Sequence, residues 1–473
     1  MVTVVAATGS SSSRLAASNV PTLVALGLTI SGLLAVVNRT VPDPYMVPKN
    51  HFTHHVVDNF QLVLTYLSAR TRFFTSLRPK STAKDASVSI QQLGPEEANV
   101  VNAVDEWDPK ITTFPGLYLV STVYAKAALI FNVGEFCSVA VLRSINVLFA
   151  VGNVILCVLL RRHISPQDPN ALLHAVRVAL FPPLFFFAFL FYTDGGATFF
   201  VLLMALLAER VDLLQYPPAR GSFMLSALSG AVAVLFRQTN IIWVIFVAGT
   251  VVVRCAELAH AKFIYGSFKE ERIVSDVSST THSSLRVFLN FISVVVTNFP
   301  SILLIVWPFV LIVGCFIGFL VTNGGIVVGD KSNHEVTFHG AQVLYFIAVA
   351  ASGFGLSLIT PTQLKRFFGS VHRNVSSLRG AAFIFFVVAV TVGVIYRFSP
   401  VHKFMLADNR HYTFYVWRKF FLKHKLAKFL PTPVYLLGGW RCWDDLGRRR
   451  SPLWKLVYAL ALCLVLIPSP LVE

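Results

Sequence analysis

Apolar residues in this chain gather into long runs, and the runs recur from Leu23 to Ile467 with short polar connections between them. A helix needs about 20 mainly apolar residues to cross a bilayer, and backbone groups in lipid must pair within their own segment. The runs lack the every-other-residue alternation of a barrel strand, so they predict helices. In order they cover residues 23–37, 139–160, 178–191, 199–207, 223–235, 241–253, 287–321, 343–358, 383–396, 433–440 and 453–467, with a further run opening at Leu117. The stretch 287–321 is long enough for one span plus a helix along the interface. Together the runs predict an all-α polytopic membrane protein of about 10–11 transmembrane helices, built as a single domain over the whole chain. The first run is long for the apolar part of a signal peptide and is expected to stay as a span.

Cations between the runs orient them. Arg161 and Arg162, Arg210, the segment 254–286, the group Lys365, Arg366, Arg373 and Arg379, and the turn 441–450 all read as cytoplasmic. The connections 39–114, 192–196, 237–240, 323–339 and 398–424 then fall together on the lumenal side. Composition agrees with a membrane protein: 55% of the 473 residues are hydrophobic, only 13% are charged and 41 are Phe, too little polar surface for a soluble globule. The net charge of +17 lies in short clusters between apolar runs rather than on one polar domain, so it is read as orientation, with lipid rather than nucleic acid as the partner. The six Cys show no paired spacing and are read as buried small hydrophobes. His51, His54 and His55 could share a helix face, but no third ligand follows at a suitable spacing, so neither a metal nor a cofactor is expected.

Polar chemistry is densest in residues 406–419, where Asp408, Asn409, Arg410, His411 and Tyr412 follow the run 383–396 among aromatic and cationic neighbours. An interface belt explains the Trp, Tyr, Lys and Arg. Anchoring has no use for an acid, an amide and an imidazole beside them, whereas a sugar-phosphate site uses all three. Arg410 and Arg237 are the phosphate candidates, because one guanidinium can hold two phosphate oxygens, with Lys403 and His411 assisting. Gln238, Asn240 and Asn409 suit sugar hydroxyls. Trp107, Tyr118, Tyr412 and Trp417 suit either stacking on sugar rings or anchoring, and Asp194 is either a site acid or a helix-end cap.

The same residues carry a family resemblance. Four stretches, taken in order, are Trp-Asp-Pro-Lys-Ile-Thr-Thr at 107–113 with Pro-Gly-Leu-Tyr at 115–118, then residues 236–243, 323–330 and 406–419. They resemble signatures of the dolichyl-phosphate-glucose-dependent alpha-1,2-glucosyltransferases of the endoplasmic reticulum, membrane glycosyltransferases of the GT-C type. The resemblance runs from about Trp107 to the end of the chain. It implies an enzyme of the endoplasmic reticulum membrane with its active face lumenal. The implied donor is dolichyl phosphate glucose, and the implied acceptor is the diglucosylated lipid-linked oligosaccharide. Transfer would be inverting and metal-independent, with a carboxylate taking the acceptor's proton and cations steadying the departing phosphate.

This chain also departs from that family. Its first loop should carry an Asp-Glu pair, including the implied base, after Pro-Tyr-Met; here Pro44-Tyr45-Met46 is followed by Val47-Pro48. Residues 47–104 read as a replaced segment, either a divergent loop or retained non-coding sequence. Asp105 and Glu106, beside the first matching motif, become the candidate base, and Asp108 a candidate ligand. The family continues past Glu473, so the C-terminus reads as truncated. An inactive or scaffold homologue is the alternative reading. A membrane transporter fits less well, since no internal repeat is found and polar groups gather at one face.

Overall fold

A computed structural model describes residues 113–130, 139–213, 220–265, 284–328, 335–399, 412–447 and 452–471. The expected first span, the three His at 51–55, the segment 47–104, Asp105, Glu106, Trp107, Asp108, Lys403, Asp408, Asn409, Arg410 and His411 lie outside the described residues. What is described is helical apart from one two-stranded ribbon. Among these residues four helices are long and apolar enough to cross a membrane: Ala140–Ile164, Gln238–Ala259, Phe299–Asn323 and Leu378–Arg397. Shorter apolar helices cover Gly221–Phe236, Phe288–Thr297, Ala341–Gly353 and Leu453–Leu466. The protein is therefore a multi-pass membrane protein. Its chain divides into two compact units, one holding residues up to Arg210 together with 228–240, the other holding 211–227 and 241–473.

The first unit contains α1 (Gly116–Ile130), α2 (Val139–Ile164), α3 (Ala171–Ala179), α4 (Pro182–Phe187), α5 (Thr193–Glu209) and the last turns of α6 (Arg220–Phe236). Helix α2 is 26 residues, about 39 Å at 1.5 Å per residue, and ends in Arg161, Arg162 and His163, cations suited to a helix C-terminus. Helix α1 lies antiparallel along its beginning: Leu117 packs with Ile145 and Phe149, while Ala125 and Ala128 pack with Val141 and Leu142. Helix α1 is described over 15 residues, about 22 Å.

The run expected over 178–191 is broken. Pro182 and Pro183 open α4, and their missing N–H groups stop α3 from continuing into it. Broken backbone at membrane depth needs outside partners, and Asn146 of α2 supplies them by donating its Nδ2 to the carbonyls of Leu190 and Tyr192. Helix α5 then runs beside α2 in the same direction, with Asn146 opposite Tyr192 and Gly152 against Phe199. Gly196 faces the Phe236 ring so closely that any side chain there would overlap it. Phe149, Phe199, Phe200 and Phe236 form an aromatic cluster, with Phe149 edge-on to Phe236 at 5.7 Å.

The second unit holds the start of α6, then α7 (Ile241–Tyr265), α8 (Ser284–Thr297), α9 (Phe299–Asn323), β1 (Glu335–Phe338), α10 (Ala341–Phe354), α11 (Pro361–Val375), α12 (Leu378–Arg397), α13 (Tyr412–Val416), α14 (Thr432–Gly447), α15 (Pro452–Leu466) and β2 (Pro468–Leu471). The stretch 287–321 divides at Asn298, with Pro300 in the first turn of the span α9. The segment read as a loop from 254 is helical as far as Tyr265. Strands β1 and β2 pair antiparallel, Glu335 opposite Leu471 and Phe338 opposite Pro468. Beside them the His339 N–H donates to the Ile467 carbonyl at 2.8 Å and the Ala341 N–H to the Phe398 carbonyl at 3.3 Å. The start of α10, the end of α12 and the end of α15 therefore meet at one end of this unit. The expected burial of every Cys is not met: Cys315 is exposed on the apolar surface of α9, where lipid rather than protein is the natural neighbour.

Candidate functional site

The site is built where α5 begins and α6 ends. Tyr192 is extended and Thr193 is the first residue of α5, so Asp194 falls in the first helical turn rather than at the N-cap position, which Tyr192 holds without a side-chain cap bond. An acid in the first turn is favoured by the helix dipole. Arg237 follows the last residue of α6, its N–H donating to the Ala233 carbonyl at 3.1 Å. Its Nη1 meets Asp194 Oδ1 at 2.5 Å, and its guanidinium stands 5.9 Å from the centre of the Tyr192 ring.

One carboxylate oxygen is engaged and the other is not. Asp194 Oδ2 is buried without a hydrogen-bond partner, a costly arrangement for a charged oxygen unless a ligand or water completes it. The Arg237 side chain keeps 39% of its surface exposed, so its remaining donors are open to a ligand while one arm is held. An anion-binding group oriented by a carboxylate, beside an open acceptor oxygen, can hold a phosphate oxygen on one side and a hydroxyl on the other.

Gln238 and Asn240 occupy the turn of 3-10 helix between α6 and α7, and both are buried. Asn240 Nδ2 donates to the Ala233 carbonyl at 2.8 Å, so this amide closes the end of α6. The structure thus brings together Asp194 and Arg237, with Gln238 and Asn240 in the turn that carries Arg237. Tyr118 is half-buried against Phe191 at 6.3 Å, edge to face. Trp417, expected at an interface or on a sugar ring, is instead buried in the π turn Trp417–Phe421 that continues α13, tilted against Phe421 at 5.0 Å. Tyr412 opens α13.

Two residues that hold the site escaped the sequence reading. Asn146 fixes the carbonyls that lead into α5, and Asn153, one further two-turn step along α2, donates its Nδ2 to the Gly195 carbonyl at 3.1 Å. Their carbonyl oxygens are buried without partners. The available signal was two amides seven residues apart inside an apolar run, on one helical face, where polar groups are expensive unless used.

Among the described residues, four helices of membrane-crossing length, with further apolar helices packed among them, define an α-helical polytopic membrane protein. Within that class the chain belongs to the DIE2/ALG10 family, whose profile matches residues 98–473. Nearly all of the segment 47–104, read from sequence as replaced, lies ahead of that match. The chain is 37% identical over 383 residues to the Dol-P-Glc:Glc(2)Man(9)GlcNAc(2)-PP-Dol alpha-1,2-glucosyltransferase of Rattus norvegicus, covering 78% of this chain and 76% of that protein. The Homo sapiens protein of that name is likewise 37% identical over 383 residues, again covering 78% of this chain and 76% of its own length. The Arabidopsis thaliana protein is 33% identical over 421 residues, covering 78% of each chain. No solved structure matches this chain.

Proposed function

We propose that this chain is a hexosyltransferase of the endoplasmic reticulum membrane. It takes glucose from dolichyl phosphate glucose and places it in alpha-1,2 linkage on the diglucosylated lipid-linked oligosaccharide, at the lumenal face. Membership of the family and the names carried by the relatives support the activity. The observation that carries the site is the Arg237–Asp194 pair with its unpartnered Oδ2, Asp194 in the first turn of α5 and Arg237 just ahead of the membrane-length helix Gln238–Ala259.

A lipid-linked donor has its phosphate at headgroup depth, its sugar C1 just above and its hydrocarbon in the bilayer, which is the depth of a helix end. The acceptor hydroxyl attacks C1 from the side opposite the phosphate, and its proton passes to a carboxylate. The bond from C1 to the phosphate oxygen breaks, and the electron pair leaves with dolichyl phosphate, giving inversion at C1. Arg237 receives the developing phosphate charge, assisted in this reading by Arg410, Lys403 and His411. Asp194 holds the guanidinium in place, and its second oxygen accepts from a sugar hydroxyl. Asp105 or Glu106 acts as the base, and Trp107, Asp108, Gln238, Asn240, Asp408, Asn409 and Tyr412 line the sugar. No metal or cofactor takes part in these steps.

The test is incubation of the purified full chain with dolichyl phosphate glucose and the diglucosylated acceptor. Appearance of a triglucosylated product that is lost in Arg237→Ala supports the reading. Donor binding without transfer identifies an inactive homologue, and transfer undiminished in Arg237→Ala refutes the site.

A further inference from the structure

Helix α11 has two faces of opposite chemistry. Leu364, Phe367, Phe368, Val371 and Val375 follow one another at spacings of three, one, three and four residues, which places them on a single stripe. Lys365 and His372 border that stripe, and Arg366 and Arg373 stand on the far side. The chain from Pro361 to Arg379 contains no acid. None of the residues of α11 is buried, and Phe368, Val375 and the following Leu378 are 62%, 52% and 88% exposed.

One flank of α11 is fastened. Phe367 packs edge-on against Trp440 of α14 at 5.4 Å, Arg441 donates to Gln363 at 3.2 Å, and Arg366 pairs with Asp444 at 3.2 Å. The stripe beside that flank stays open, and it continues onto α12 through Leu378 to the exposed Phe383, Phe385 and Phe386. Lys365, His372, Arg373 and Arg379 make no ion pair among the described residues. Helix α11 also joins the ends of α10 and α12 that lie away from the β1–β2 ribbon, because α10 starts and α12 finishes beside that ribbon.

We propose that α11 is an in-plane interfacial helix whose cations bind anionic phospholipid headgroups while Phe368 and Val375 enter the acyl boundary. A connection between two membrane-inserted helices lies at headgroup depth. An apolar stripe edged by cations matches the boundary between hydrocarbon and phosphate, and the absence of any acid matches a negatively charged leaflet. A soluble partner would leave the stripe in water beside the lipid-facing surface of α12, which the continuity of the two surfaces argues against.

The test uses the full chain in phosphatidylcholine vesicles with and without phosphatidylserine. A bimane label is placed at Phe368→Cys, with labelling of the parent protein as baseline. Brominated lipid is expected to quench this label, phosphatidylserine more than phosphatidylcholine. The preference should fall by about fivefold for each of Lys365 and Arg373 changed to Gln, survive in Lys365→Arg, and weaken with salt in the unsubstituted chain. Two results would overturn the proposal. One is a label quenched by aqueous iodide and not by lipid, as a water-facing docking surface requires. The other is equal quenching by both lipids, indifferent to salt and to charge removal.

Discussion

At the residue scale the proposed chemistry turns on Arg237. Replacing it with Ala should lower kcat by about 10²–10³-fold, the usual cost of losing one charge-stabilising donor, with little change in KM for the acceptor. Arg237→Lys should restore little, because an ammonium cannot keep one arm on Asp194 Oδ1 and offer a second pair of donors in a fixed plane. Asp194→Ala should fall between the parent and Arg237→Ala, since the cation remains but loses its orientation; steady-state transfer kinetics on the three variants check this order. A different acid tests electrostatics far from the chemistry. Asp168, in the connection after α2, accepts from Arg161 Nε at 2.6 Å and from the Asn170 N–H at 2.9 Å, and these bonds, Arg161 first, hold its carboxyl below the ordinary range. A depressed carboxyl contributes stability above the unfolded-state value and loses it as pH falls through the folded one. The melting temperature of Asp168→Asn should therefore lie below that of the parent at neutral pH, and the difference should close as pH falls through and below the carboxylate range.

At the element scale, what could be read in advance was set by length. The runs at 139–160, 241–253 and 383–396 became helices because only an uninterrupted run of that size can bury its backbone in lipid. The run at 178–191 misled because hydropathy is blind to Pro182 and Pro183, which divide it however apolar it is. Half of the candidate site was legible, since Asp194 and Arg237 are charges placed where apolar runs stop. The amides that support it were not, because Asn146 and Asn153 matter only once the carbonyls of a broken helix are beside them. Asn146→Leu should leave the Tyr192 and Leu190 carbonyls without their donor and cost about 1–3 kcal/mol, read as a lower midpoint in thermal unfolding in detergent. The transfer rate should fall as well, since the same bonds deliver Asp194 to Arg237.

At the scale of the whole molecule, the question is whether the polar groups share a compartment. Alternating runs and cation clusters argued for it from sequence, and the β1–β2 ribbon adds a constraint that no local pattern carried. Strand pairing joins residues far apart in the chain, so neither Glu335–Phe338 nor Pro468–Leu471 announces itself beforehand. Since Thr337 pairs with Ser469, the two must lie on one side of the membrane, and the connection 323–339 and the end of α15 cannot face opposite compartments. Helix α11 hangs from the other ends of α10 and α12, and α12 is of membrane-crossing length, so Lys365 is expected across the bilayer from the ribbon. A membrane-impermeant thiol reagent on sealed microsomes should therefore treat Thr337→Cys and Ser469→Cys alike and Lys365→Cys oppositely. The expected pattern is protection of the first two until the vesicles are opened, with Lys365→Cys modified at once, because the proposed active face is lumenal. The two ribbon cysteines in one chain should also form a disulfide under mild oxidation. Labelling of all three from the same side would break the order of crossings on which the reading of the second unit rests.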